Sequence, residues 1–282
     1  MAVTAADVKK LRDATGVGPA ECKKVLTETD GDFDKAVKVL KEKGLAAAAK
    51  RADRATNQGR VSVKVKDNAA VLVELATETD FVARNPEFIA LGETIADKAL
   101  DEGCSETDEK LAGMVKDLAT KIRENMSLKR IKVVKASANQ RLASYVHGDG
   151  AIGVVVSVSA DKPEVFAEEE AQAFVFSLAM HVAAFNPVAM SSAGVDPALL
   201  SDQEEIFRKQ VEADEKLKDK PAKVLDGILK GKLNKYLADV CFLDQSYIKN
   251  DKITVKQALA EAGKRFGAVF TIDEYVNFRV GG

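Results

Sequence analysis

The side chains best suited to bond-making chemistry are few in this sequence. There are two histidines, His147 and His181, and three cysteines, Cys22, Cys104 and Cys241. Neither histidine has a Cys or His neighbour at metal-binding spacing, and the cysteines form no CxxC pair, so neither a zinc site nor a disulfide framework is expected. His147 falls in a turn before Gly148. His181 lies between Met180 and Val182 in an apolar helical stretch, where a hydrogen-bonded, partly buried ring is the expected state. Cys22 sits on an apolar helical stripe as a small core residue would. There is no GxxxxGK[ST] phosphate loop, no HExxH and no GxSxG, and the 44 acids fall largely on polar helix faces. What remains is chemistry of contact. Thr79-Asp80-Phe81-Val82 sets an acid beside a large aromatic with no apolar run around them. Neighbours in an extended or looping chain cannot both point into one core, so one of Asp80 and Phe81 is presented outward. Two readings stand. Asp80 caps a turn while Phe81 packs on the sheet beneath, or the pair is a probe offered to another protein.

The elements that position this stretch follow from patterning. In 282 residues, 46% are hydrophobic and 30% charged, the balance of an ordinary globular protein with room for two or three domains. The net charge of −2 creates no field attracting nucleic acid or an anionic membrane. No apolar run approaches the roughly 20 residues of a membrane span. The opening MAVTAADVKK lacks a signal peptide's apolar region, so a cytoplasmic protein without membrane contact is expected. Three short helices come first. Thr4 and Asp7 cap the first, which ends at Gly16; Gly18-Pro19 starts the second; Gly31-Asp32 starts the third, and Gly44 is expected to stop it. An alanine-rich basic linker follows, with Lys50, Arg51 and Arg54, too short and without aromatics to read as an RNA-binding segment.

From Arg60 the pattern alternates, with Val61, Val63 and Val65 on one face; Asp67-Asn68 turns, and Val71, Val73 and Leu75 return. Asn85-Pro86 then opens a helix ending at Gly103, and a second runs from Thr107 to Asn125 before a strand around Ile131 and Val133. The unit repeats. Leu142, Ser144 and Val146 form a strand, Gly148 to Gly150 turn, Ile152 to Val158 return, and a helix carries Val175, Leu178 and Val182 inward until Asn186-Pro187. Two charged helices around Asp219-Lys220-Pro221 read as an antiparallel hairpin, and Gly267 to Val280 supplies the last strands. The fold class is α+β, with two related antiparallel-sheet-plus-helix halves and an inserted helical hairpin. The reading divides the chain into a three-helix module (1–45), a linker (46–59), a first core half (60–140) and a second (141–282) with the hairpin at about 197–240.

Two segments carry a resemblance. Leu11 to Leu26, LRDATGVGPAECKKVL, and Glu74 to Arg84, ELATETDFVAR, resemble in order and separation the two signatures of the bacterial elongation factor Ts family. Phe242 to Leu259, FLDQSYIKNDKITVKQAL, is similar to that family's stretch on re-entering the core. The resemblance implies a ubiquitin-associated-like first module, a core of two subdomains and a coiled-coil excursion. It also implies guanine-nucleotide exchange on elongation factor Tu, whose GDP is held by a phosphate loop and a bound Mg²⁺. Thr79, Asp80, Phe81 and Val82 would then be the element that dislodges the Mg²⁺, with Phe81 as an apolar wedge and Asp80 acting near the metal. Leu11, Arg12 and Lys23 would dock the module on the partner, and His147 would face it. The implied partner is elongation factor Tu, GDP-bound or nucleotide-free. No cofactor, resident metal or covalent step is implied. The hairpin could support a larger assembly, contact the partner or serve a third protein, and the further terminal helix of some members is not expected after Gly281-Gly282. The alternative is a non-catalytic adaptor that uses the first module to bind a ubiquitin-like or RNA-associated partner.

Overall fold

A computed structural model describes residues 3–217 and 220–282. Short polar side chains start the first helices. α1 (Ala5–Thr15) opens on a capping box, in which Thr4 Oγ1 accepts the Asp7 N–H and the Asp7 carboxylate accepts the Thr4 N–H. Two donors that every helix start leaves unpaired are thereby satisfied. Gly16 ends α1 in the left-handed region. α2 (Pro19–Glu28) begins on proline, and Asp32 receives the Lys35 N–H at the start of α3 (Phe33–Ala49). Leu11, Cys22, Val25, Leu26, Ala36 and Leu40 make the core of these three helices. The stop expected at Gly44 does not occur, and α3 continues to Ala49. Glycine inside a helix costs only about 1 kcal/mol against alanine. Here it also permits close packing, because a Cβ on Gly44 would lie 2.2 Å from Thr120 Cγ2.

β1 (Gln58–Lys66), which begins two residues before the expected Arg60, and β2 (Ala69–Thr77) form an antiparallel hairpin. Val61 faces Glu74 and Val63 faces Leu72, and Asp67 turns the chain with a positive φ of 53°. β2 is the middle strand of a three-stranded sheet, order β1-β2-β3, and is buried along nearly its whole length. A short helical turn, α4 (Asp80–Ala83), follows it. α5 (Pro86–Glu102) is capped by Asn85, whose side chain accepts the Glu87 N–H, and is closed by Gly103. α6 (Glu109–Ile122), capped by Asp108, leads through Arg123 to β3 (Met126–Lys135). Val73, Leu75, Val82, Phe88, Ile95, Leu111 and Val115 belong to the core beneath.

The second copy of the unit comprises β4 (Gln140–His147), β5 (Ile152–Ala160), a 3₁₀ turn at Pro163–Ala167 and α7 (Glu169–Phe185), which ends at Asn186. α8 (Pro197–Ala213) and α9 (Ala222–Val240) make the helical excursion. Phe207 packs edge-on to Tyr236, and Lys232 donates to Gln210, so positions advance along one helix as they retreat along the other: the pair is antiparallel. Asp219 of the expected turn lies outside the described residues. β6 (Ser246–Tyr247), β7 (Asn250–Thr254), α10 (Val255–Phe266) and β8 (Phe270–Arg279) complete the chain, with β8 joining the sheet β4-β5-β8. Two compact units result. One holds the residues up to Val134 with Val146–Gly153 and Phe278–Gly282; the other holds Lys135–Tyr145 and Val154–Asn277. No helix among the described residues is long and apolar enough to cross a membrane.

Candidate protein-contact site

The end of β2 delivers the chain to the Asp80–Ala83 turn. Thr79, not Asp80, is its cap, since the Thr79 hydroxyl oxygen accepts the Val82 N–H. A helical turn rotates successive side chains by about 100°, and this sorts the four residues. Val82 and Ala83 are buried, with Val82 in the core beneath the sheet. Asp80 and Phe81 both face solvent, and Phe81 is 83% exposed. The reading in which Phe81 packs on the sheet is therefore corrected. A ring of this size left in water forgoes about 1.5–3 kcal/mol of burial, and the fold holds it there. Asp80 pairs with Arg84 at 3.7 Å across one exposed turn, a contact worth little by itself.

Beneath the turn, two connectors lock together. The Glu124 carboxylate accepts the Thr77 hydroxyl at 3.0 Å, the Thr79 N–H at 3.1 Å and the Thr79 hydroxyl at 2.7 Å. In return the Glu78 carboxylate accepts the Asn125 N–H at 2.6 Å and the Arg54 guanidinium at 3.2 Å. These bonds, the Asn125 N–H first, hold the Glu78 carboxyl below the usual carboxylate range against the opposing cost of desolvation. The Asn125 amide donates to the Ala52 and Arg54 carbonyls. Glu124 is missed by sequence reasoning, which takes the acids as solvated surface. The available signal is its place, an acid-amide pair in the tight connector between a helix and a strand.

His147 ends β4 and is exposed. Its successors Gly148 and Asp149, with Gly59, Asp80, Arg84 and Val280, line a depression of about 300 Å³. The fold thus brings the loop after His147 to the Asp80 turn. That loop is pinned to β1: the Gly150 carbonyl accepts the Val61 N–H at 2.7 Å, and Arg60 donates to the Asp149 carbonyl. GxGxxG spacing, expected to be absent along with the other enzyme motifs, is in fact present at Gly148-Asp149-Gly150-Ala151-Ile152-Gly153. Here it turns between two strands and opens no helix, so it offers no helix N-terminus to a pyrophosphate.

Arg12 and Lys23 lie with Val8, Pro19 and Ala20 along a groove of about 770 Å³ between α1 and α2. Leu11, expected beside them as a docking residue, is wholly buried in the core of the three helices. Its i, i+3 and i+4 spacing points it inward, so it shapes the groove without lining it. His181 is fully buried and satisfied: Nε2 bonds Gln245 at 3.0 Å, Nδ1 accepts the Ile248 N–H at 3.2 Å, and the ring stacks on Phe185. Burial lowers its pKa, partly opposed by the Gln245 bond.

Known proteins resemble this chain along its whole length. A family profile described as Elongation factor TS matches residues 78–282, starting within the Thr79–Val82 stretch's own connector. The Elongation factor Ts of Treponema denticola is 45% identical over 281 residues, spanning 100% of this chain and 99% of that protein. That of Treponema pallidum is 41% identical over 292 residues, with 100% and 99% covered. That of Borrelia hermsii is 36% identical over 282 residues, with both chains fully covered. The full-length matches include the first three helices, which the profile match leaves out. The chain belongs to the elongation factor Ts family.

Proposed function

We propose that the chain is a guanine-nucleotide exchange factor that binds elongation factor Tu in the cytoplasm, in both its GDP-bound and nucleotide-free forms, and promotes release of GDP during translation elongation. It acts by binding alone, with no covalent step and no cofactor of its own. The single observation that carries the reading is Phe81, a large aromatic held 83% exposed on a turn whose other face is anchored in the core. Burying the ring in the partner recovers about 2–3 kcal/mol. If that contact forms only in the conformation with disturbed Mg²⁺ coordination, GDP affinity falls by roughly 30- to 150-fold, and by reciprocity GDP weakens the exchange factor equally. Asp80 at the same turn brings a negative charge towards a site that depends on a cation to neutralise phosphate. His147 and the loop behind it extend this surface, and Arg12 and Lys23 dock the first module from their groove.

The test is release of labelled GDP from elongation factor Tu. Substoichiometric amounts of this chain accelerate release if the reading is right. An unchanged rate across a range of concentrations sinks it.

A further inference from the structure

A four-residue helical turn does not persist alone, because nucleation fixes several dihedrals for one hydrogen bond. An exposed phenyl ring gives such a turn an added reason to unwind and fold the ring onto nearby apolar surface. The turn is nevertheless formed: Ala83 N–H reaches the Thr79 carbonyl and Arg84 N–H the Asp80 carbonyl, both at 3.2 Å. Val82 anchors its far end. At its near end the Thr79 hydroxyl has one proton, committed to Glu124 at 2.7 Å, and this leaves a lone pair for the Val82 N–H. The same carboxylate fixes the Thr79 N–H and the Thr77 hydroxyl. Glu78 points the other way and fixes the Asn125 N–H, so each connector lends a carboxylate to the other's backbone.

We infer that Glu124, with Glu78 in the reciprocal position, is a positioning residue that locks the Asp80–Ala83 turn and so holds Phe81 outward, preorganised for its partner. The role in exchange rests on the function proposed above; the locking of the turn does not. Preorganisation raises affinity by removing the ordering cost at the moment of contact. A loosened turn must pay that cost on every encounter.

The chain contains no tryptophan, so Phe81→Trp places a sole indole where the ring stands. In the full-length protein carrying F81W alone, the indole's anisotropy decays mainly with whole-molecule tumbling. Adding Glu124→Ala transfers amplitude to a fast local decay, and Glu124→Gln, which keeps one acceptor oxygen, falls between. An unchanged decay in both double variants overturns the inference. With the native Phe81, E124A slows stimulated GDP release by about tenfold, the scale of one lost charge-assisted bond network. In a Phe81→Ala background it changes release by less than about twofold, because both substitutions remove the same contact. Equal slowing in the two backgrounds would show Glu124 acting elsewhere and overturn the inference. If E124A does not fold, E124Q and Glu78→Gln carry the same comparison. A mobilised indole with a wild-type chain that releases no GDP would support the lock and sink only the exchange reading.

Discussion

Phe81 and Val82 are adjacent in the chain, yet one is 83% exposed and the other 7%. Their truncations should therefore separate function from stability. Phe81→Ala removes little intramolecular packing and should leave the denaturant midpoint nearly unchanged. Val82→Ala opens a small cavity in the core and should cost about 1–2 kcal/mol, read as a lowered midpoint in urea unfolding. A shift of the same size in both would contradict the assignment of inner and outer faces. His181 supports a second prediction. Burial lowers its folded-state pKa below 6.5, so on acidification the unfolded chain takes up a proton first. Stability is then complete above about pH 6.5 and declines below it, by at most about 1.4 kcal/mol per pH unit. Urea midpoints measured at about pH 7.5 and 5.5 should differ, and His181→Gln should flatten the difference. Equal midpoints in the parent protein would contradict it. Residue types made His181 legible as a satisfied core histidine. The outward face of Phe81 was open, because an acid-aromatic pair fits either a packed or a presented turn until the cap at Thr79 is seen.

Among the elements, strand starts and helix caps were largely legible, since Thr4, Asn85, Pro86 and Gly103 are local signals. The persistence of α3 past Gly44 was not, because what fills the space beside that glycine is Thr120, far away in sequence. Gly59 makes a similar long-range demand. A Cβ there would stand 2.2 Å from the Leu75 carbonyl oxygen on the partner strand, an atom that cannot swing aside. Gly59→Ala should cost about 1–3 kcal/mol through overpacking, measured by chemical denaturation; a neutral effect would refute the close approach. The α8–α9 hairpin is the opposite case. α9 buries no residue and α8 only Val211. The base closes independently, through the Val188 N–H to the Val240 carbonyl and the Phe242 N–H to the Ala189 carbonyl, both at 2.9 Å. Replacing the hairpin beyond this base by a short glycine-serine linker should leave the rest folded, with a thermal midpoint lowered by no more than about 4 °C. Global unfolding of that variant would show that the hairpin supports the core.

For the whole molecule, the repeated strand-turn-strand-helix unit was legible because period-two alternation and turn residues occur twice in order. The gathering of Val146–Gly153 and Phe278–Gly282 into the first unit was not. It depends on bonds such as Val61 N–H to the Gly150 carbonyl and Val280 N–H to the Ala151 carbonyl, which leave no local pattern. That gathering is what brings Asp149 and Val280 to the depression beside Asp80, so the extent of the proposed contact surface is a tertiary property, while its central motif is a sequence one. The proposed exchange activity rests on one exposed ring held on a locked turn. The most direct measurement is the rate of labelled GDP release from elongation factor Tu at saturating concentrations of the wild-type chain and of Phe81→Ala, with unfolding curves taken in parallel. Fast release is expected with the wild type, release slowed by roughly 30-fold or more with F81A, and superimposable unfolding of the two. Full-rate release by a normally folded F81A protein would contradict the role of the ring.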